Sequence, residues 1–365
     1  MKKMNILFTI WSFEYGGAER FVLNLIKALD KTIYNPIVFS DKNQKGPLEN
    51  EFKKAGAKVI YSRFHRFKHP KKFTNQLKEI IKEEKIDIIH ANDDLNMYFA
   101  LKAKPESVKL IAHSHTTNFK FTNNAVLSKL LSQHIKKYII KKADLRLSCG
   151  REAGGALFGN KDYQLIENGI LLNDYYYSEK TRMGLRNELG IPADYVVMLN
   201  IGRVDKNKNH TFLVEVFTEY QKINKESKLV IIGNGYAMPE LKESIEKNNL
   251  QSEVIVLNPR ENAYEYYNLA DVFVMPSLYE GMPMVSVEAQ TNGLKCVFSS
   301  TISKEADHLG TAEFISLDKT PKEWAEKIFK LDLKREENVC DKMDKYNIKM
   351  IATTMSKCYA DLVYK

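Results

Sequence analysis

Two glutamates eight residues apart, Glu280 and Glu288, lie in the segment PSLYEGMPMVSVEAQTNG (276–293), directly after the apolar run VFVM. The run reads as a buried strand and residues 279–282 as a turn; Pro283 stands where proline is favoured, in the first turn of a helix. The start of such a helix offers backbone N–H groups and a positive dipole end to an anionic or polar ligand. Gly281, Met282, Pro283 and Met284 are the residues that would present it. Paired carboxylates can do hydrolytic acid–base work, but glycosidase carboxyl groups lie about 5–9.5 Å apart. Eight residues at helical rise separate these two by about 12 Å along the axis. That spacing suits the two ends of one elongated ligand, with one carboxylate accepting from sugar hydroxyls, the other from a ribose, and backbone amides between them facing phosphates. Two ordinary surface glutamates would account for Glu288 but not for the strand, turn, proline and glycine around Glu280.

A second constellation is LNIGRVDKNKNH (199–210). Gly202 permits close backbone approach, Arg203 is a bidentate donor for phosphate oxygens, and Lys208 is a mobile point charge at the start of the next helix. Cations aimed at the charge that builds on a departing diphosphate would aid the breaking of a sugar–phosphate bond. His113 and His115 end the run KLIAHSH; a histidine is a reasonable base near neutral pH, and His115 is the better candidate, while His113 reads as a packed strand-end residue. Asp93 and Asp94 lack metal-site spacing and sit at a helix start, where acids serve as caps. No metal or other cofactor is expected.

The elements that must position these groups alternate. NILFTIW, NPIVFS, KVIYS, IDIIHAN, KLIAHSH, DLRLSCG and YQLIENGI read as near-continuous apolar strands with amphipathic helices between several of them, the pattern of parallel strands covered on both faces. A second series, YVVMLNIG, KLVIIG, EVIVLN, VFVMPS and KCVFSS, repeats the layout. The fold class is therefore α/β, with two tandem Rossmann-like, doubly wound domains whose strand C-terminal ends would flank a cleft. The expected organisation is a first domain over 1–170, a linker over 171–192, a second domain over 193–345, and a C-terminal helix over 346–365 that closes back on the first domain.

The formal charge of +9 is uneven. Residues 1–180 carry 31 Lys and Arg against 19 Asp and Glu, a balance of +12, whereas 181–365 carry 24 against 27, a balance of −3. Within the basic half, YSRFHRFKHPKKF (61–73) interleaves Arg63, Arg66, Lys68, Lys71 and Lys72 with Tyr61, Phe64, Phe67 and Phe73, and HIKKYIIKK (134–142) follows later. Cations among aromatics suit an anionic membrane surface. No nucleic-acid recognition motif accompanies them, so nucleic acid is not expected as a partner. No apolar run is long enough to span a bilayer. The four cysteines lack metal or disulfide spacing, which fits a cytoplasmic location, peripheral on the inner face of the membrane if the basic half touches lipid.

Together these motifs resemble the retaining glycosyltransferases of the GT-B fold called family 4, or glycosyl transferases group 1, and especially the capsular and exopolysaccharide branch. The resemblance runs through YGGAERFVLNLIKAL, HSH, ENGI, GRVDKNKNH, VIIGNG and NLADVFVMPSLYEGMPMVSVEA. It implies that Glu280 contacts the donor hexose, Glu288 the ribose, Arg203 and Lys208 the diphosphate, and that Gly16 and Gly17 line the opposite wall near the phosphates. His115 would lie near the transferred sugar, as a base or as an orienting group. LNPREN (257–262) departs from the family pattern where many relatives have a glycine before Arg260, which bears on base recognition; Lys295 replaces a frequent proline.

The reading is a retaining hexosyltransferase that uses a nucleotide diphosphate sugar, a UDP-sugar, and a saccharide or polyprenyl-diphosphate-linked acceptor. A sugar-nucleotide epimerase can share two facing Rossmann-like domains, but it would need catalytic carboxylates at short separation. A non-catalytic donor-binding partner of another transferase would not need Arg203, Lys208, Glu280 and Glu288 together.

Overall fold

In the computed structural model, residues 3–116, 125–260, 262–280, 282–337 and 339–364 are described. The chain divides into two compact units, Met1–Ile170 with Lys345–Lys365, and Leu171–Asp344. In the first, strands β1 (Met4–Ile10), β2 (Tyr34–Ser40), β3 (Lys58–Tyr61), β4 (Ile88–Ala91), β5 (Lys109–Ser114), β6 (Leu145–Ser148) and β7 (Gln164–Leu165) form one parallel sheet in the order β3-β2-β1-β4-β5-β6-β7. In the second, β8 (Val196–Ile201), β9 (Ser227–Ile232), β10 (Val254–Leu257), β11 (Val272–Met275), β12 (Lys295–Ser299) and β13 (Glu313–Ile315) are also parallel, in the order β10-β9-β8-β11-β12-β13. Both sheets are Rossmann-like, as the strand–helix alternation predicts.

The central strands are apolar because helices cover both of their faces. Leu7 pairs with Ile37 on one side and Ile89 on the other, and all three are fully buried. In each sheet the strand order reverses beside the first strand, between β1 and β4 and between β8 and β11, and ligands of open α/β sheets bind outside the strand ends at such switch points. The second constellation follows β8 and Glu280 follows β11, so one switch point receives both.

Residues 171–192, read from the sequence as a connection, contain the helices Leu172–Tyr175 and Glu179–Glu188 and group with the second unit. Arg186 anchors them. Its fully buried guanidinium donates to the carbonyls of Leu269, Pro192, Ala193 and Tyr195 and meets Asp271 at 2.8 Å. The C-terminal helix Ile348–Tyr364 groups with the first unit, where buried Tyr359 packs on Tyr34 and donates to or accepts from His90 Nδ1 at 2.8 Å. Strand β13, three residues against β12, has no counterpart in the sequence reading.

The basic stretch 61–73 is built differently from the expectation. Phe73 is fully buried, Tyr61 and Phe64 are half-buried, and Arg66 lies in an ion triad with Asp41 and Asp93. Only Phe67 among these aromatics is exposed, with Arg63, Lys68, Lys71 and Lys72. Among the described residues, no helix is long and apolar enough to cross a membrane.

Candidate functional site

The loop after β8 is shaped by Asp205. One carboxylate oxygen accepts from Lys208 N at 3.1 Å and caps the single 3-10 turn Lys206–Lys208, and the other accepts from Arg203 Nε at 2.7 Å. Asn209 then takes a left-handed conformation (φ 57°, ψ 44°), which Asn tolerates better than most residues, and its side chain donates to Pro276 O at 3.2 Å. The loop lies directly on the turn VIIGNG. A Cβ on Gly233 would fall 1.9 Å from Gly202 O, and one on Gly235 would fall 2.1 Å from Val204 O, so both positions require glycine.

These contacts deliver Lys208 Nζ to Glu280 Oε1 at 2.8 Å. The two side chains retain 16% and 17% of their exposure, so the pair is largely but not wholly withdrawn from water. Asn207 completes the arrangement, donating to Glu280 Oε1 at 3.1 Å and to Tyr279 O at 2.7 Å, while its own carbonyl accepts from Leu278 N at 2.7 Å. Glu280 is also fixed through its backbone, whose carbonyl accepts from Ser303 N at 3.1 Å. Arg203, paired with Asp205, remains 62% exposed. The unit thus presents two cations, each paired with a carboxylate, at the sheet's switch point, a set of donors and acceptors suited to an anion carrying hydroxyl groups.

Pro283 is not within the first turn but is the N-cap of the helix Met284–Thr291, with extended ψ of 130°. The cause is local: Ser286 donates to Pro283 O through both its N (3.0 Å) and its Oγ (2.7 Å), which tightens the entry and engages one first-turn amide internally. Met282 is half-buried, Pro283 and Met284 are buried, and Gly281 lies outside the described residues. Glu288 is not a surface glutamate. It is 9% exposed, and its two carboxylate oxygens accept from Tyr267 (2.6 Å) and Tyr175 (3.2 Å). Burial, then the Glu288 charge, pushes the Tyr267 phenol well above its usual range, so it remains a proton donor. Tyr175 belongs to the stretch expected as a linker and Tyr267 to the short 3-10 turn Ala263–Tyr267, and no spacing rule announced either. Arg260, beyond β10, bonds to the Tyr266 hydroxyl and lies over that ring at 5.0 Å.

In the first unit His115 follows β5 and is held from both sides. Asn92 donates its amide to His90 O at 3.0 Å, which turns its Oδ1 toward His115 Nε2 at 3.0 Å, and Asn168, in ENGI, meets Nδ1 at 3.1 Å. Both contacts are to amide oxygens, which only accept, and burial depresses the His115 pKa to about 4, so the neutral ring donates its single N–H to one of the two. His113 is fully buried against Phe21 at 5.0 Å between ring centroids and bonds His90 at 3.1 Å, a packed strand-end residue as expected. Asp93 caps the helix Asp94–Ala103, accepting from Asn96 N at 3.0 Å. Its second role was not legible: with Asp41 it holds Arg66, whose guanidinium lies 4.3 Å from the Trp11 ring centroid. Gly16 is the N-cap of the helix Gly17–Ala28, after β1. Among the described residues, no group of three or more His, Cys, Asp or Glu could hold a metal ion.

Comparison with known proteins fits this geometry. Residues 15–170 match the family "Glycosyltransferase Family 4" and residues 182–350 match "Glycosyl transferases group 1". EpsF of Bacillus subtilis, a glycosyltransferase by name, is 31% identical over 332 residues, 88% of this chain and 86% of its own. The capsular polysaccharide biosynthesis glycosyltransferase CapH of Staphylococcus aureus is 21% identical over 94% of this chain and 95% of its own. The crystal structure of Anabaena HepE in complex with UDP and glucose has the same fold, with a TM-score of 0.80 at 16% identity, covering 98% of this chain and 99% of that one. The chain is a glycosyltransferase of the GT-B fold and belongs to glycosyltransferase family 4, group 1.

Proposed function

We propose that the chain is a retaining hexosyltransferase that takes a sugar from a UDP-sugar and passes it to a saccharide or polyprenyl-diphosphate-linked saccharide, in capsular or exopolysaccharide synthesis. The observation that carries this reading is the Lys208–Glu280 pair, with the exposed Arg203 in the same loop as Lys208, at the switch point of the second sheet. In this role Glu280 accepts from hydroxyls of the donor sugar. Lys208 and Arg203 take the diphosphate, and their charge stabilises it as the sugar bond breaks. Glu288, oriented by Tyr267 and Tyr175, accepts from a ribose hydroxyl, as a carboxylate oxygen can accept more than one bond. Met282, Pro283, Met284 and Arg260 border the donor, Gly16 and Gly17 serve its phosphates, and no metal is needed.

His115 orients the sugar and does not abstract a proton, because both ring nitrogens are already engaged by asparagines. The acceptor proton then goes to the leaving phosphate. Two relatives support the substrates: CapH by its name, and an Escherichia coli "UDP-Gal:alpha-D-GlcNAc-diphosphoundecaprenol alpha-1,3-galactosyltransferase", 26% identical over 61% of this chain. The exposed Lys68, Lys71 and Lys72 with Phe67 support peripheral contact with an anionic membrane from the cytoplasm.

Glu280→Ala and Lys208→Ala are each expected to abolish transfer while circular dichroism stays native, and near-normal turnover in both refutes the assignment. Retention is read from the anomeric configuration of the product by NMR. An inverted linkage would overturn that part alone.

A further inference from the structure

We propose that Glu19 is a positioning residue that shapes the turn at 11–16, and that position 16 is glycine because the Glu19 carboxyl fills the space a side chain there would need. The backbone at Gly16 does not call for glycine: φ is −130° and ψ 159°, extended values open to any residue. The space does. A Cβ at Gly16 would stand 2.1 Å from Glu19 Oε2 and 3.1 Å from its Cδ. Such a clash is relieved cheaply when the carboxyl is free to swing away, but Glu19 is only 8% exposed and its carboxyl is held where it is.

What holds it is the turn itself. Glu19 is the third residue of the helix Gly17–Ala28, and its carboxyl folds back beneath the chain. Burial, reinforced by the charge of Asp93, raises its pKa to about 7, against hydrogen bonds from the backbone amides of Glu19 itself, Ser12 and Trp11 that favour the ionised form. Ser12 Oγ accepts from Glu14 N at 3.3 Å and Gly16 O from Arg20 N at 2.9 Å, so the same few residues close the turn at both ends. An alanine at 16 therefore acts through Glu19, by expelling its carboxyl from those amides. The glycine that resemblance assigns to close approach by a ligand is thus already required by the fold. In one respect the inference rests on the proposed function, namely that this turn meets the donor.

A double-mutant cycle separates the two roles of Gly16. Wild type, Gly16→Ala, Glu19→Ala, the double variant and Glu19→Gln are compared by amide hydrogen exchange over 11–17 and by donor KM and kcat. Gly16→Ala and Glu19→Ala should each speed exchange about tenfold and raise KM about fivefold with kcat within about twofold, and the double variant should match Glu19→Ala. Glu19→Gln, which keeps the volume and an acceptor oxygen, should restore slow exchange. A Gly16→Ala effect that persists in full without the Glu19 carboxyl overturns the proposal, as does unchanged exchange in Glu19→Ala. If wild type transfers from no nucleotide sugar, the functional reading falls, while the exchange cycle still decides this one.

Discussion

Replacing Lys208 by methionine keeps most of the side chain's length and removes the charge that meets Glu280 Oε1 at 2.8 Å. At an effective dielectric constant of about 20 the gross attraction at that separation is about 6 kcal/mol, much of it offset by the solvation both groups lose. Exposed pairs net about 0–1 kcal/mol, and truncating one member of a fully buried pair costs about 3–5 kcal/mol. The side chains here keep 16% and 17% of their exposure, and Asn207 still donates to Glu280 at 3.1 Å, so the expected loss of folding stability is about 2 kcal/mol. Catalysis should lose more, because a charge aimed at a developing anion contributes about 10²–10³ in kcat. Urea unfolding measures the first quantity, and release of nucleoside diphosphate at saturating donor measures the second. Adding Glu280→Gln to the variant removes the stranded carboxylate, so stability should recover by about 1–2 kcal/mol while activity stays lost. A kcat lowered less than about threefold, alongside the full stability loss, would mean that Lys208 is a strut and not part of the chemistry.

Tyr267→Phe deletes the 2.6 Å bond that orients Glu288 and should raise donor KM about five- to tenfold with little change in kcat; an unchanged KM argues against Glu288 as a ribose ligand. Acid stability tests the buried histidines: His90 and His115 are held near pKa 3 and 4 by burial, below the ordinary 6.5, so the unfolded chain binds more protons and their contribution, full above 6.5, is lost as pH falls through the folded values. Glu19 opposes them, because its carboxyl is raised from 4.5 to about 7 and contributes stability below 4.5 that is lost as pH rises toward 7. Glu19→Gln should therefore make the urea midpoint climb more steeply from pH 5 to 7 than in wild type; parallel profiles would contradict the Glu19 assignment, and a midpoint that does not climb in the variant would contradict that of the histidines. Sedimentation with anionic vesicles should pull down the protein at low salt and release it at high salt, and reversing the charges at Lys68, Lys71 and Lys72 should weaken binding; no binding at low salt removes the membrane from the picture.

The central strands were legible because a parallel strand buried on both faces must be apolar along its length; the edge strands are less regular, with β7 exposed at both of its residues and the three-residue β13 missed. The Lys208 and Glu280 positions were legible because strand–turn–helix grammar locates strand ends, and strand ends are where such sheets bind ligands. What escaped was every partner brought in from elsewhere in the chain. Tyr175 reaches Glu288 from 113 residues away, and Asn168 reaches His115 from 53, and no local period encodes either distance. Arg66 shows the reverse error. Among aromatics and lysines it reads as part of a charged surface, yet two carboxylates at 3.0 and 2.7 Å and the Trp11 ring hold it inside.

The same lesson bears on Gly16, where motif and structure give different reasons for one residue. A glycine in a strand-to-helix turn is read from sequence as room for a phosphate, because the sequence shows the turn and not what lies beneath it. The structure puts the Glu19 carboxyl 2.1 Å from the missing Cβ. The pair G-x-x-E can therefore persist as a packing unit whatever the turn binds. Loss of function at Gly16 alone says nothing about the donor until Glu19 has been removed as well.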